Sequence, residues 1–181
     1  PNFVRHLATV SRCACPCSWF ESPASGLDHN PRVLLEKDGS LAGKYRQMHM
    51  PDDPGYYEKF YFTPGDLVCT PIQPSVGKLG VLVCWDQWFP EAARLMALAG
   101  ADLLLYPTAI GWNPADDPEE QARQREAWIT ITRSHAIATA LPVIVTNRVV
   151  HEHAPSGHPN RTQCWGIRFF TLQQGKRVPP P

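Results

Sequence analysis

Short apolar runs alternate with helix-length segments through the middle of this chain, and that alternation limits what it can fold into. The segment Gly77-Lys78-Leu79-Gly80-Val81-Leu82-Val83-Cys84 ends in an unbroken apolar run, as expected of a strand covered on both faces. A helix is predicted over about 88–99, with Pro90 in its first turn and Gly100 closing it. Ala101-Asp102-Leu103-Leu104-Leu105-Tyr106-Pro107 reads as a second buried strand. A longer helix follows over about 117–140, opened by the acids Asp117, Glu119 and Glu120 that a helix N-terminus favours. Val143-Ile144-Val145-Thr146-Asn147 is a third buried strand, with a weaker one expected over 164–171. Such an order is the layered α/β pattern, with parallel neighbouring strands and right-handed crossovers. A ligand site then belongs at the carboxyl ends of the strands, where Cys84, Tyr106-Pro107-Thr108 and Asn147 fall.

Upstream, Arg32–Glu36 reads as a short strand, and Asp38-Gly39 as a turn into a second strand through Lys44-Tyr45-Arg46. Residues 50–66 contain Pro51, Pro54, Gly55, Pro64 and Gly65, so they are expected to form a long ordered loop of the kind that carries function. The 181 residues suit one domain, and 43% hydrophobic content is that of a globular chain. Seventeen basic residues balance seventeen acidic ones, which argues against nucleic acid or an anionic membrane as partner. No apolar run is long enough to span a bilayer, and Pro1–His6 lacks the basic-then-apolar order of a signal peptide, so a cytoplasmic location is the default expectation. The chain lacks an initiating Met and ends in Pro179-Pro180-Pro181, so residues 1–181 are expected to be a single partial domain with a Pro tail, cut at both ends. Of the six cysteines, Cys13, Cys15 and Cys17 are expected to line one side of a strand as small buried groups. A zinc site joining them to His151, His153 and His158 is disfavoured by their spacing, so no metal is expected.

Cys84 stands where an apolar strand stops and a helix is about to start. A turn there pushes its side chain out of the sheet, and the coming helix presents unpaired N–H groups and a positive dipole end. Both favour the nucleophilic thiolate, and the N–H of Trp85 is placed to hold a developing oxyanion. Position alone, however, more often marks an inert buried cysteine.

The surrounding residues add to this. Val83-Cys84-Trp85-Asp86-Gln87-Trp88-Phe89-Pro90-Glu91-Ala92-Ala93-Arg94 resembles the nucleophile motif of the nitrilase superfamily. Gly43-Lys44-Tyr45-Arg46-Gln47-Met48-His49-Met50-Pro51 resembles the segment that carries that family's catalytic lysine. Asp52-Asp53-Pro54-Gly55-Tyr56-Tyr57-Glu58-Lys59-Phe60-Tyr61-Phe62 looks like the loop of the N-carbamoylputrescine amidase branch. Tyr106–Trp112, Arg133–Ala138 and Leu141–Arg148 match in the same order. The resemblance implies an α/β nitrilase-like αββα sandwich, here incomplete, with its N-terminal and C-terminal parts missing. It implies a cofactor-free hydrolase that cleaves N-carbamoylputrescine to putrescine, ammonia and carbon dioxide, as in polyamine biosynthesis. It further implies a small carbamoyl-amine substrate and self-association into a homo-oligomer. Carried over residue by residue, it makes Cys84 the nucleophile, Glu58 an additional active-site acid, and Gln47 the occupant of the lysine position. Trp85, Tyr57, Trp112 and Thr108 become the substrate-binding set, and Trp85, Trp88 and Trp112 the pocket walls.

Two departures stand out. At position 47 a neutral amide replaces the charge-assisted donor, while Lys44 and Arg46 belong to the opposite strand face. The general-base glutamate of the family falls upstream of Pro1, and Glu21 matches a different position. An alternative reading follows, a catalytically inactive homologue that only binds ligand or self-associates. His135 is expected to be a hydrogen-bonded packing residue, Glu91 and Arg94 a structural ion pair, and Asp116, Asp117 and Glu119 a helix start.

Overall fold

The computed structural model describes residues 2–53, 56–149, 151–152 and 162–178. In chain order they form α1 (Asn2–Ser11), β1 (Cys15–Ser18), β2 (Glu21–Ala24), β3 (Leu27–His29), β4 (Pro31–Leu35), β5 (Leu41–Arg46), α2 (Glu58–Tyr61) and β6 (Leu79–Val81). A 3₁₀ turn over Cys84–Trp88 leads into α3 (Pro90–Leu98), β7 (Leu103–Thr108), β8 (Gly111–Trp112), α4 (Pro118–Thr139) and β9 (Val143–Asn147). The chain continues through β10 (His151–Glu152), β11 (Thr162–Cys164), β12 (Phe169–Thr171) and β13 (Arg177–Val178).

The larger sheet has the order β13-β12-β9-β7-β6. Its strands β6, β7 and β9 are parallel, with Leu79 opposite Leu103 and Leu104 opposite Val143, as helical crossovers require. Alternation along these strands then divides the core. Leu79, Val81, Leu103, Leu105 and Ile144 pack with Leu34 and Ala42 from the smaller sheet, β1-β4-β5, and with Ile72, which bridges to Leu79. Leu104, Tyr106, Val143 and Val145 pack with Ala92, Ala93 and Met96 of α3 and with Trp128, Ile129 and Ala136 of α4. Gly80 permits this closeness, since a Cβ there would lie 2.8 Å from Leu104 Cδ2 and 3.1 Å from Met96 Cβ. Outside the smaller sheet, Val4 of α1 joins Cys17, Val33 and Leu35 in lining a groove. Helices, sheet, sheet and helix are therefore stacked in the αββα order of an α/β fold, as expected.

Several local expectations need correction. The weak strand over 164–171 divides in two, β11 pairing with β8 and β12 running antiparallel to β9. Among the described residues of the 50–66 loop there is a regular turn, α2. Cys13 lies exposed after α1, outside any strand, and only Cys15 and Cys17 share the half-buried face of β1. A four-residue strand is too short to include all three. Among the described residues no cluster of three or more His, Cys, Asp or Glu is placed to hold a metal. His153, His158, the side chain of His151 and the Pro179–Pro181 tail lie outside the described residues. Arg94 does not pair with Glu91 but donates to the carbonyl of Ala138 at 3.0 Å, joining α3 to α4. No described helix is long and apolar enough to cross a membrane.

Asp117 caps α4, its carboxylate accepting from the N–H groups of Glu119 (2.9 Å) and Glu120 (3.0 Å). His135, on the buried face of that helix, has Nδ1 2.8 Å from the Tyr106 hydroxyl. Burial pulls its pKa down to about 4, so it is neutral at pH 7. In the unfolded chain the imidazole takes up a proton below about 6.5, which the folded state resists until about 4. Stability is therefore expected to fall as pH drops through that window, by roughly 3 kcal/mol from this group. Urea unfolding at pH 7 and pH 4.5 checks this, because His135→Gln should lose most of the difference attributable to residue 135.

Candidate active site

The backbone changes direction at Cys84. Val83 is extended, whereas Cys84 has φ 45°, a left-handed conformation that a residue with a Cβ rarely adopts. What holds it there is Asp86. Its Oδ2 accepts from the N–H of Val83 (2.9 Å) and the hydroxyl of Tyr45 (3.0 Å). Oδ1 accepts from the N–H of His49 (2.9 Å) and lies 2.8 Å from His49 Nδ1. Gln87 is also fully buried, its Oε1 accepting from Trp128 Nε1 at 2.6 Å. Residues 86 and 87 thus reach inward and fasten the 3₁₀ turn to β5 and α4, while Trp85 and Trp88 reach outward.

Outward lies a cavity of about 550 Å3. Trp85, Trp88, Trp112, Trp165 and Tyr56 give it aromatic walls, and Asp53 and Asp116 contribute carboxylates. Tyr56 is fixed there by accepting from the N–H of Gly111 at 3.1 Å. Cys84 is 9% exposed and is not itself a wall, although its neighbour Trp85 and, across from it, Ile110 both are. Its Sγ lies 3.8 Å from the carbonyl of Ala109.

Glu58 and Arg32 act electrostatically on the sulfur; Asn30 is bonded to Arg32, and Gln47 in turn to Asn30. Glu58 opens α2, and burial raises its pKa against the pull of Arg32 and the Asn30 amide. Its Oε2 is buried without a hydrogen-bond partner. Gln47 is fully buried, with Nε2 donating to the carbonyl of His49 (2.9 Å) and Oε1 accepting from Asn30 Nδ2 (2.8 Å). Lys44 and Arg46 do point elsewhere. Both pair with Glu21, and Arg46 also meets Asp66 at 2.7 Å.

The expected thiolate is not the resting state. Burial pushes the Cys84 thiol up to about 12, with Glu58 and Asp86 adding to the rise and Arg32 opposing it. The reason is that the sulfur is withdrawn from water beside two carboxyls, and a neighbouring helix end does not outweigh that.

Of the binding residues read from the sequence, Trp85 and Trp112 border the cavity. Tyr57 is 56% exposed and does not border it; the adjacent Tyr56 does. Thr108 is buried below, its hydroxyl donating to the carbonyl of Tyr106 at 3.2 Å and 3.5 Å from Gln87 Nε2. Asn30, Arg32, Asp53 and Trp165 were missed. For Arg32 a signal existed, since on an alternating strand it shares a face with Asn30.

The carbon-nitrogen hydrolase family model matches residues 2–178, and the chain belongs to that family, in the nitrilase superfamily. An N-carbamoylputrescine amidase of Solanum tuberosum is 44% identical over 98% of this chain and 59% of its own length. A citrullinase of Francisella tularensis is 44% identical over 95% of this chain and 58% of its own. The crystal structure of a carbon-nitrogen hydrolase from Helicobacter pylori superposes with a TM-score of 0.95 at 54% identity, covering 98% of this chain and 61% of that one. The chain thus spans about three fifths of the length of each of these relatives.

Proposed function

We propose that this chain carries the nucleophile side of a hydrolase acting on N-carbamoyl amines, N-carbamoylputrescine first among them. The observation that supports it most is Cys84, held in strained backbone near a half-buried acid, Glu58, and next to an aromatic cavity that ends in carboxylates. In this reading Glu58 takes the thiol proton as sulfur attacks the carbamoyl carbon. Ammonia leaves with a proton, and an S-carbamoyl thioester remains on Cys84. Water then releases the N-carboxy amine, which loses carbon dioxide to give the free amine. Trp85 and Trp112 flank the alkyl chain, and Asp53 and Asp116 face a distal ammonium. The matching relatives bear both diamine and amino-acid substrates in their names. The two carboxylates favour the diamine, because a citrulline carboxylate would meet like charge there.

The expected result is ammonia release from N-carbamoylputrescine, at least tenfold faster than from citrulline at equal concentration, and abolished by Cys84→Ala. Release untouched by Cys84→Ala would remove the nucleophile assignment. Absent release, with no S-carbamoyl adduct on Cys84 by mass spectrometry, would leave the inactive, ligand-binding homologue. On the outer face of α3 and α4, Leu95, Leu98 and Ile137 are exposed apolar residues that a second copy of the chain would cover, which light scattering can test.

A further inference from the structure

Resting on the hydrolase reading above, we propose that Arg32, on β4, is the positioning cation of the Cys84 site: its guanidinium compensates the negative charge that moves between Glu58 and Cys84. The neutral Gln47 leaves that charge otherwise uncompensated. Asn30 and Gln47 are parts of the mount that holds Arg32.

Three observations converge. First, Arg32 Nη1 donates to Asn30 Oδ1 at 3.1 Å and to the carbonyl of Pro31 at 3.3 Å, and Asn30 Nδ2 in turn donates to Gln47 Oε1 at 2.8 Å. Gln47 continues the chain to the carbonyl of His49, whose N–H is held by Asp86 at the nucleophile turn. The guanidinium is therefore tied into the frame that shapes the turn, and it is not a waving surface arginine. Second, two buried polar atoms in this neighbourhood lack hydrogen-bond partners, the donor Arg32 Nε and the acceptor Glu58 Oε2. A buried N–H without an acceptor is costly unless something else supplies one, and a transient anion at the site does so. Third, Arg32, Glu58 and Cys84 act on one another electrostatically, pair by pair.

With Glu58 ionised and Cys84 a thiol, Arg32 faces one carboxylate. When the proton passes from sulfur to Glu58, the S–H bond breaks, an O–H bond forms, and Arg32 faces one thiolate. One cation serves both states, so the transfer needs no outside counter-ion. The charged and titratable groups acting on the sulfur are Glu58 from α2, Asp86 from its own turn and Arg32 from β4. Cys17 of β1 also acts on Arg32. Lys44 and Arg46 are already engaged by Glu21.

The test reads ionisation of Cys84 without needing turnover. Iodoacetamide labelling is followed from pH 6 to 10 on the intact chain, and the rate at the Cys84 peptide is taken by mass spectrometry. Exposed Cys13 serves as the internal reference. Arg32→Met is expected to slow Cys84 labelling at pH 8 about tenfold, a factor that corresponds to about one pH unit in its midpoint. Arg32→Lys should stay within about threefold of the unchanged chain. Glu58→Gln should change the rate in the opposite direction, faster, because it removes a negative charge beside the sulfur. Equal rates in Arg32→Met and the unchanged chain would overturn the proposal. So would a parallel change in Arg32→Met and Glu58→Gln, which marks loosened packing. Should Arg32→Met fail to fold, Arg32→Gln and Glu58→Gln carry the same comparison. Ammonia release is measured alongside. Loss of the Arg32 effect with Cys84-dependent release intact defeats this inference alone, and an Arg32 effect without release defeats the hydrolase reading alone.

Discussion

Replacing Asp86 by Ala is expected to lower unfolding stability by about 4 kcal/mol, the largest single-residue effect at this site. Asp86 is fully buried, and its two oxygens serve Val83, Tyr45 and both the backbone and ring of His49. Truncation leaves the Val83 N–H, the Tyr45 hydroxyl and the His49 N–H without acceptors, each costing roughly 1–3 kcal/mol. It also releases the φ 45° conformation at Cys84 that these bonds enforce. Asp86→Asn should recover only part of the loss, since its NH2 turns one set of accepted bonds into donor–donor conflict. Urea denaturation gives the stability change. Faster iodoacetamide labelling of Cys84 in the still-folded fraction would show that the turn has opened. An Ala variant within 1 kcal/mol of the unchanged chain would mean that the turn is held by something other than Asp86.

The parallel half of the fold was readable because its signals are local and redundant. Leu103–Leu105 and Val143–Val145 are unbroken apolar runs of the sort a doubly covered strand needs, and Pro90, Gly100 and Asp117 mark helix ends by their backbone chemistry. The N-terminal third was harder. Cys13, Cys15 and Cys17 show perfect alternation, yet α1 ends at Ser11 and Cys13 falls in the connection. Period two cannot by itself say where a strand begins. Glu91 and Arg94 have helix-pair spacing, but the carbonyl of Ala138, presented by α4, competes successfully for the guanidinium. That competitor is forty-four residues away in sequence and invisible to a local rule.

At the site, identity was legible and environment was not. Cys84 stands where strand and turn meet, as its position suggested. Its thiol, however, is set by burial and by Glu58, Asp86 and Arg32, which lie on three separate segments. Tyr57 and Tyr56 are indistinguishable in sequence; the bond from the Gly111 N–H ties Tyr56 to the cavity wall. Arg32 was passed over because an arginine in a strand next to apolar residues resembles an edge charge. Asn30 is its neighbour on the strand face, but Glu58 comes near only once the loop that carries it folds back towards β4.

That fold-back depends on Gly65, and Gly65→Ala is expected to cost about 3 kcal/mol and at least a tenfold loss of any Cys84-dependent ammonia release. A Cβ there would lie 2.2 Å from the Arg46 carbonyl oxygen and 2.8 Å from its carbon, backbone atoms that no rotamer change can move. The approach is that close because the Gly65 N–H donates to the Gln47 carbonyl at 2.7 Å, while the Thr63 N–H donates to Asp28 at the same distance. His29 Nδ1 adds a third tie to the Thr63 carbonyl at 3.1 Å. These bonds anchor the C-terminal end of the loop that carries Glu58. Pushing the Gly65 backbone away by the ångström or so the methyl needs would slacken that anchor and move Glu58 relative to the sulfur, and shifts of that size carry rate penalties of this order or more. Thermal unfolding and ammonia release measured on the same sample separate the two consequences. A stable Ala variant with full release would show that Glu58 does not depend on this anchor. A stable variant with lost release would place the function of Gly65 in positioning rather than in holding the fold together.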